Sequence, residues 1–328
     1  MKAVIFRKYG GPEVLQLVSI PKPKPKENEV LVKIFATTVT AEDPKMRGFN
    51  HPPLLKIPVG LMFGFYKPKR PVLGIEFSGV VEDVGRGVKK YRPGDQVFGY
   101  TGLSFGAYAE YKCLPEDGMF YLKPKNLTHI QAAAMVNGPL SALAYLKKKA
   151  KIKKDDQVLI YGASGSVGTA AVQLAKYYGA RVTGICSTRN LDMIRTLEAD
   201  RVIDYTREDY TKMGDSYDII FDTVGKTQMK TCMSLLVPKG KYLATEFGFS
   251  HILKSITSSI SNGKRVIVAS SNFYWKREDL KLFKQLAEQG QFTPVVDRVF
   301  TLENMREAHR YVEQGHKAGN VAVRICEE

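Results

Sequence analysis

The stretch Gln157-Val158-Leu159-Ile160-Tyr161-Gly162-Ala163-Ser164-Gly165-Ser166-Val167-Gly168 decides how the rest of this 328-residue chain is read. An apolar run bounded by turn-forming residues gives a buried strand. The glycines after it let the backbone turn tightly and approach a pyrophosphate. The charge of that group is met by free N–H groups and by the positive end of a helix beginning near Val167. A helix from Val167 to Tyr178 and a second strand, Arg181 to Cys186, complete the order strand, turn, helix, strand. That context lifts the glycine pattern above chance and predicts dinucleotide binding, with Gly162, Ser164, Gly165, Ser166 and Val167 as phosphate contacts.

The tip of the second strand selects the dinucleotide. A carboxylate there bonds the ribose hydroxyls of NAD and repels a 2′-phosphate. This strand ends Ile185-Cys186-Ser187-Thr188-Arg189-Asn190, with no acid before Asp192. Ser187 and the Arg189 guanidinium are suited to a phosphate, so the expected cofactor is NADPH.

Downstream, the pattern predicts a helix at Leu191 to Leu197 and strands at Arg201 to Ile203, Tyr217 to Phe221, Gly240 to Ala244 and Arg265 to Ala269. An amphipathic stretch at Ile252 to Ile260 precedes the last of these. Strands alternating with helices imply right-handed crossovers and a doubly wound parallel sheet. Upstream of an Ala-rich helix (Ile130 to Leu146), short β segments divided by Gly and Pro predict a β-rich module: Val4 to Phe6, Val30 to Phe35, Gly79 to Val84, Gln96 to Tyr100 and Ala107 to Tyr111. Residues 50–66, rich in Pro, Gly and aromatics, read as a long loop suited to a substrate lid. The C-terminal β, helix, β pattern from Val295 to Ile325 fits either module.

The four cysteines show no CxxC pair and no disulfide spacing, and the chain opens directly on a strand, so a cytoplasmic home is expected. The net charge of +16 comes from lysines scattered through loops, without a nucleic-acid-binding pattern. It leaves a basic surface open to peripheral contact with an anionic membrane.

Several linked segments resemble the medium-chain dehydrogenase/reductase superfamily, specifically its zinc-free quinone oxidoreductase branch. They are Met1-Lys2-Ala3-Val4, Pro71 to Val81, Gly94 to Gly99, Gly106 to Tyr111, the glycine turn, Phe221-Asp222-Thr223-Val224-Gly225, and Gly319-Asn320-Val321. The resemblance implies a GroES-like catalytic domain over residues 1–125, completed by about 273–328, and a Rossmann domain over 126–272. It implies a homodimer through the edge strand Arg265 to Ala269. It also adds Ser141, Tyr205, Val224, Phe247, Gly248 and Asn320 as cofactor contacts.

Zinc-dependent members hold their metal with Cys, His and a carboxylate. Here the matching Gly-His-Glu segment reads Gly74-Ile75-Glu76, the cysteine near Thr40 is missing, and the later one is replaced within Met135-Val136-Asn137-Gly138. No metal is expected. Without a Lewis acid the chemistry shifts toward reduction of an electron-poor acceptor, a quinone or an α,β-unsaturated carbonyl compound. Thr40 and Lys45 occupy the positions where relatives carry substrate-facing polar residues, and they are the expected catalytic groups. The competing reading is a non-catalytic NADPH-binding regulator or membrane-surface protein of the same fold.

Overall fold

A computed structural model describes residues 1–51, 53–246, 255, 263–268 and 274–327. The chain divides into two compact units, Met1–Asn137 together with Lys276–Glu328, and Gly138–Trp275. In chain order the first contributes β1 (Lys2–Ile5), β2 (Gln16–Ser19), β3 (Glu29–Val39), β4 (Glu76–Val84), β5 (Gln96–Tyr100), β6 (Tyr111–Pro115) and β7 (Phe120–Leu122). The second supplies β8 (Gln157–Tyr161), β9 (Arg181–Cys186), β10 (Arg201–Asp204), β11 (Tyr217–Asp222), β12 (Leu236–Ala244) and β13 (Arg265–Val268). The chain then returns to the first unit with β14 (Val296–Thr301) and β15 (Asn320–Arg324).

In the second unit the strands run parallel in the order β10-β9-β8-β11-β12-β13. Val158, Leu159 and Ile160 of β8 are fully buried, as a strand covered on both faces requires. Chain order reverses between β8 and β11, the switch point at which such sheets take ligands.

The first unit is the β-rich module expected from its Gly- and Pro-divided segments. Its main sheet runs β14-β15-β3-β4-β5-β7, with β6 also paired to β3. Val30, Val32 and Ile34 of β3 pack with Phe77, Val81, Val97 and Phe120 in one apolar cluster. On another side Arg47, from helix Glu42–Gly48, is 1% exposed. Its Nε donates to the Gly10 carbonyl at 3.1 Å, and its terminal nitrogens reach His309 Nδ1 at 3.0 Å and Glu313 Oε1 at 2.5 Å. Burial, and then Arg47 itself, push His309 down to about 3, so its neutral ring accepts from the guanidinium.

Three expectations are corrected. Residues 107–110 bend and bridge two partners in turn, Val4 N donating to Tyr108 O and Tyr108 N to Leu73 O, so a ladder forms only from Tyr111 onward. The Ala-rich helix is broken into His129–Ala133, Asn137–Leu143 and a π-helical turn, Ala144–Lys149. Pro139 has no N–H to bond the carbonyl of Met135 four residues back, and its ring crowds that carbonyl, which accounts for the break before Asn137. The expected lid loop contains a helix, Pro53–Phe63. Pro53 at its first position has φ already set for a helix, and Leu, Ile and Met supply the propensity.

Candidate cofactor and substrate sites

The glycine turn folds as its composition dictates. Gly162 has φ +77°, in the left-handed region open to glycine, and Gly162 N and Ala163 N both donate to Ile185 O of β9, at 3.1 and 2.9 Å. Gly165 N closes the turn on Gly162 O at 3.0 Å, and helix Ser166–Tyr177 begins with no capping side chain. A helix start of that kind presents N–H groups and a positive dipole end to an anion. A Cβ on Gly162 would lie 2.2 Å from Val224 Cγ2, so the β11 tip rests directly on the turn. Gly138, one helical turn before Ser141, similarly abuts Ser166 O. The fold therefore brings together Gly162, Ser164, Gly165, Ser166, Val167 and Val224, with buried Ser141 on the neighbouring helix.

Asp222 holds the β11 tip in place. Its Oδ1 accepts from Val224 N and Gly225 N at 2.9 and 2.7 Å, and its Oδ2 accepts from Thr227 N at 3.0 Å and Thr227 Oγ1 at 2.7 Å. Thr223 Oγ1 donates back to Tyr161 O at 2.9 Å. The sequence reading used Asp222 and Thr223 only as family markers. An aspartate at a strand end three residues before a glycine is the turn signal that reveals this positioning role.

At the tip of β9, Ser187 is half-buried and Arg189 exposed. Asn190 Nδ2 reaches Ser187 Oγ at 3.5 Å. Tyr205 follows β10, its N–H on Cys186 O and its ring 6.2 Å from that of Tyr161. Strand pairing also brings a carboxylate that the linear reading lacked, since Asp204 lies opposite Cys186. That carboxylate is occupied by Thr188 Oγ1, Thr206 N and Thr206 Oγ1, which hold it below its ordinary range. Asn320 belongs to the first unit, where its Nδ2 donates to Val295 O at 3.0 Å. Phe247 and Gly248 lie outside the described residues.

In the first unit Thr40 closes β3 and leads into helix Glu42–Gly48. Its N–H and Oγ1 donate to Asp43 Oδ2 at 2.8 and 2.7 Å. Asp43 also accepts from Gly74 N at 3.3 Å. The Thr40 proton is thus committed to Asp43, and the hydroxyl offers outward a lone pair while that carboxylate is ionised. Burial pushes Asp43 up to about 6 against these hydrogen bonds. Lys45 stands one turn on, with Nζ 3.1 Å from Glu42 Oε1 and its side chain 34% exposed.

Glu76, fully buried, sits where zinc-dependent relatives place a ligand. Its Oε2 accepts from Thr38 Oγ1 and its Oε1 from Asn137 N. Ile75 beside it has no donor atom, and among the described residues no three His, Cys, Asp or Glu come together as a metal would need. Lys317 is the charged neighbour that sequence reading missed. Burial holds it down to about 8 despite the carboxylates of Glu76 and Asp297. It lies 241 positions from Glu76, and only the pairing of β15 with β3 brings it near.

Burial raises Glu76 from 4.5 to about 7. The folded chain therefore holds a proton that the unfolded chain loses above pH 4.5. The associated stability is complete below 4.5 and disappears as pH rises through 7. Glu76→Gln should melt higher than the parent by up to about 3 kcal/mol of stability at pH 8, and by little at pH 4.5. An equal shift at both pH values, by calorimetry, counts against a protonated Glu76.

Comparison with known proteins places this geometry. Residues 26–124 match the alcohol dehydrogenase GroES-like domain and residues 197–323 match the zinc-binding dehydrogenase domain. The chain is 31% identical to the NADPH-dependent alkenal/one oxidoreductase of Arabidopsis thaliana chloroplasts, over 98% of this chain and 79% of that one. It is 32% identical to the quinone oxidoreductase of Sus scrofa, over 94% and 93%. Among solved structures, the Coxiella burnetii quinone oxidoreductase aligns over 99% of both chains with TM-score 0.86 and 28% identity. The Escherichia coli quinone oxidoreductase complexed with NADPH covers 99% of this chain and 100% of its own, with TM-score 0.82 and 26% identity. The matched domains, the GroES-like module carrying a doubly wound nucleotide-binding sheet, and relatives spanning nearly the whole chain agree: this protein belongs to the medium-chain dehydrogenase/reductase superfamily, with its quinone and alkenal oxidoreductases.

Proposed function

We propose that this protein is an NADPH-dependent reductase that delivers hydride to a quinone or an α,β-unsaturated carbonyl compound without help from a metal. The observation that carries the reading is the turn Gly162–Gly168, set at the switch point of the sheet and closed over by Val224. NADPH, when bound, supplies the hydride. The turn and helix start take its pyrophosphate, Ser187 and Arg189 its 2′-phosphate, and Tyr205 lies along its adenosine. Ser141, Val224, Phe247, Gly248 and Asn320 complete the cofactor contacts.

At the acceptor end, Thr40 is oriented by Asp43, and Lys45 donates to the oxygen that gains charge as hydride arrives. Its partner Glu42 is exposed, and an exposed ion pair of this kind is weak enough to release the ammonium. A second copy of the chain pairs along β13, which among the described strands is joined only to β12. Four free cysteines suit a reducing compartment such as the cytoplasm.

Anaerobic mixing of the protein with NADPH and a panel of quinones and enones tests the reading. Loss of nicotinamide absorbance supports it. Binding without loss across the panel would replace it with a non-catalytic NADPH-binding regulator. Arg189→Ala should raise the Kd for NADPH on the order of tenfold or more and leave NADH nearly unchanged, since one charge-assisted contact is worth about 1.5–3 kcal/mol. Equal losses for both cofactors, by titration, would remove Arg189 from the phosphate site. Lys45→Ala should slow enone reduction at least tenfold with NADPH affinity intact, because a contact made only in the transition state does not alter ground-state cofactor binding. Parent-rate enone reduction by that variant would make water the proton source.

A further inference from the structure

Among its described side chains, helix Pro53–Phe63 presents apolar residues both inward and outward, with Lys56 as its single charge. Val59 and Phe63, four residues apart, face inward and pack against the core cluster of the first unit, where Phe63 lies 5.3 Å from Phe105. Ile57 and Leu61, also four apart, face outward and are each 65% exposed. Met62 at 48%, Phe65 at 44% and Tyr66 at 94% extend the exposed apolar surface past the helix end. A surface helix ordinarily turns a polar face to water, and a helix apolar all round is ordinarily covered. A contiguous exposed patch of this kind marks an interaction surface.

The element is fixed in place. Tyr9 Oη donates to the carbonyls of Phe63 and Gly64 at 3.2 and 2.6 Å, and Lys69 Nζ ties the following loop to Leu61 O at 2.8 Å. Lys56 on the helix and Lys67, Lys69 and Arg70 just beyond it are exposed cations, with the Arg70 guanidinium 5.7 Å from the Phe63 ring. From Pro44 to Ile75 the sequence has no Asp or Glu.

We propose that Ile57, Leu61, Met62, Phe65 and Tyr66, together with the cations that flank them in the sequence, form a docking face for an anionic lipid bilayer. Charge selects this occupant. Apolar side chains enter the acyl boundary, an exposed tyrosine suits the headgroup level, and the flanking cations meet lipid phosphates. A second copy of the chain would set the same cations against one another. The proposal goes beyond the reductase reading and stands without it.

Co-sedimentation with vesicles tests it. The parent should bind vesicles of mixed phosphatidylglycerol and phosphatidylcholine at physiological ionic strength, and bind pure phosphatidylcholine at least tenfold more weakly. The exposed-face variant Ile57→Gln/Leu61→Gln/Met62→Gln should lose binding on the order of a hundredfold. Lys56→Gln/Lys67→Gln should lose about twentyfold. Tyr66→Cys carrying an environment-sensitive fluorophore should shift to the blue on the anionic vesicles, which reads insertion without disturbing the helix. Failure of the parent to bind anionic vesicles overturns the proposal. Undiminished binding by the triple glutamine variant also overturns it, by assigning attachment to the net charge alone. So does self-association of the parent that the same variant abolishes, which gives the face to a second copy. A changed KM in that variant with no vesicle binding by the parent makes the helix a substrate lid instead.

Discussion

Gly168→Ala is expected to weaken NADPH binding on the order of a hundredfold and to lower the melting temperature of the second unit. A Cβ at Gly168 would stand 2.1 Å from Gly162 O and 2.7 Å from the carbonyl carbon and oxygen of Ala163. All three are backbone atoms that no rotamer change can move. The helix must retreat from the strand end, carrying with it the N–H groups meant for the pyrophosphate. Overpacking of this kind typically costs about 1–3 kcal/mol in stability, and misplaced phosphate donors cost binding as well. Gly165→Ala is the control for the fold, since its Cβ would approach Gly162 O only to 3.5 Å. Fluorescence titration with NADPH and calorimetry on both variants check the expectation. Unchanged affinity in Gly168→Ala would show that the turn does not hold the pyrophosphate.

Arg47→Ala should destabilise the first unit by about 3 kcal/mol, the lower end of what removing one partner of a buried ion pair costs. The lower end applies because the Glu313 side chain is 36% exposed and regains water when its partner is lost. His309 Nδ1 loses a donor in a buried place, Gly10 O loses one in a half-buried place, and the space of a full arginine opens between helices Glu42–Gly48 and Met305–Glu313. For a domain of this size the melting temperature should fall by roughly 6–12 °C. Arg47→Met, which refills the volume but not the donors, separates the two contributions. A melting temperature within about 2 °C of the parent in Arg47→Ala would mean that the guanidinium is as well solvated in the unfolded chain as it is paired in the folded one.

The nucleotide-binding unit was legible because its signals are local. A strand, three glycines, a helix and a second strand lie within about 30 residues, and each has its own period or turn chemistry. The acceptor end was less legible because its geometry is made by pairing across the sequence. Lys45 was visible through the resemblance, as the residue standing where relatives carry a substrate-facing polar group, but the capture of the Thr40 proton by Asp43 was not. A hydrogen bond three residues away is one of several that a helix start can make. Glu76 and Lys317 meet only because β15 lies against β3. Asp204 reaches the β9 tip only through the register of β10 on β9. Helix Pro53–Phe63 was hidden by its own composition, since Pro53, Pro58 and Gly60 signal a loop and only Pro53 falls at the helix start, where proline is favoured.

The first unit is discontinuous in sequence, and this shapes how the protein is made. β3 needs β15 as its neighbour, and Ile325 N donates to Phe35 O across that seam at 2.8 Å. On a ribosome β3 emerges almost three hundred residues before its partner, at a rate of about 5–20 residues per second. For that interval the Ala36–Val39 end of β3 waits unpaired on the edge whose Glu29–Lys33 end is taken by β6, while the continuous segment Gly138–Trp275 is complete and free to fold. The segment Gly138–Trp275 can therefore fold on its own contacts first, and the first unit closes once β15 reaches β3. A nascent polypeptide halted before Asn320 should bind dinucleotide yet stay prone to aggregation through the open edge of β3.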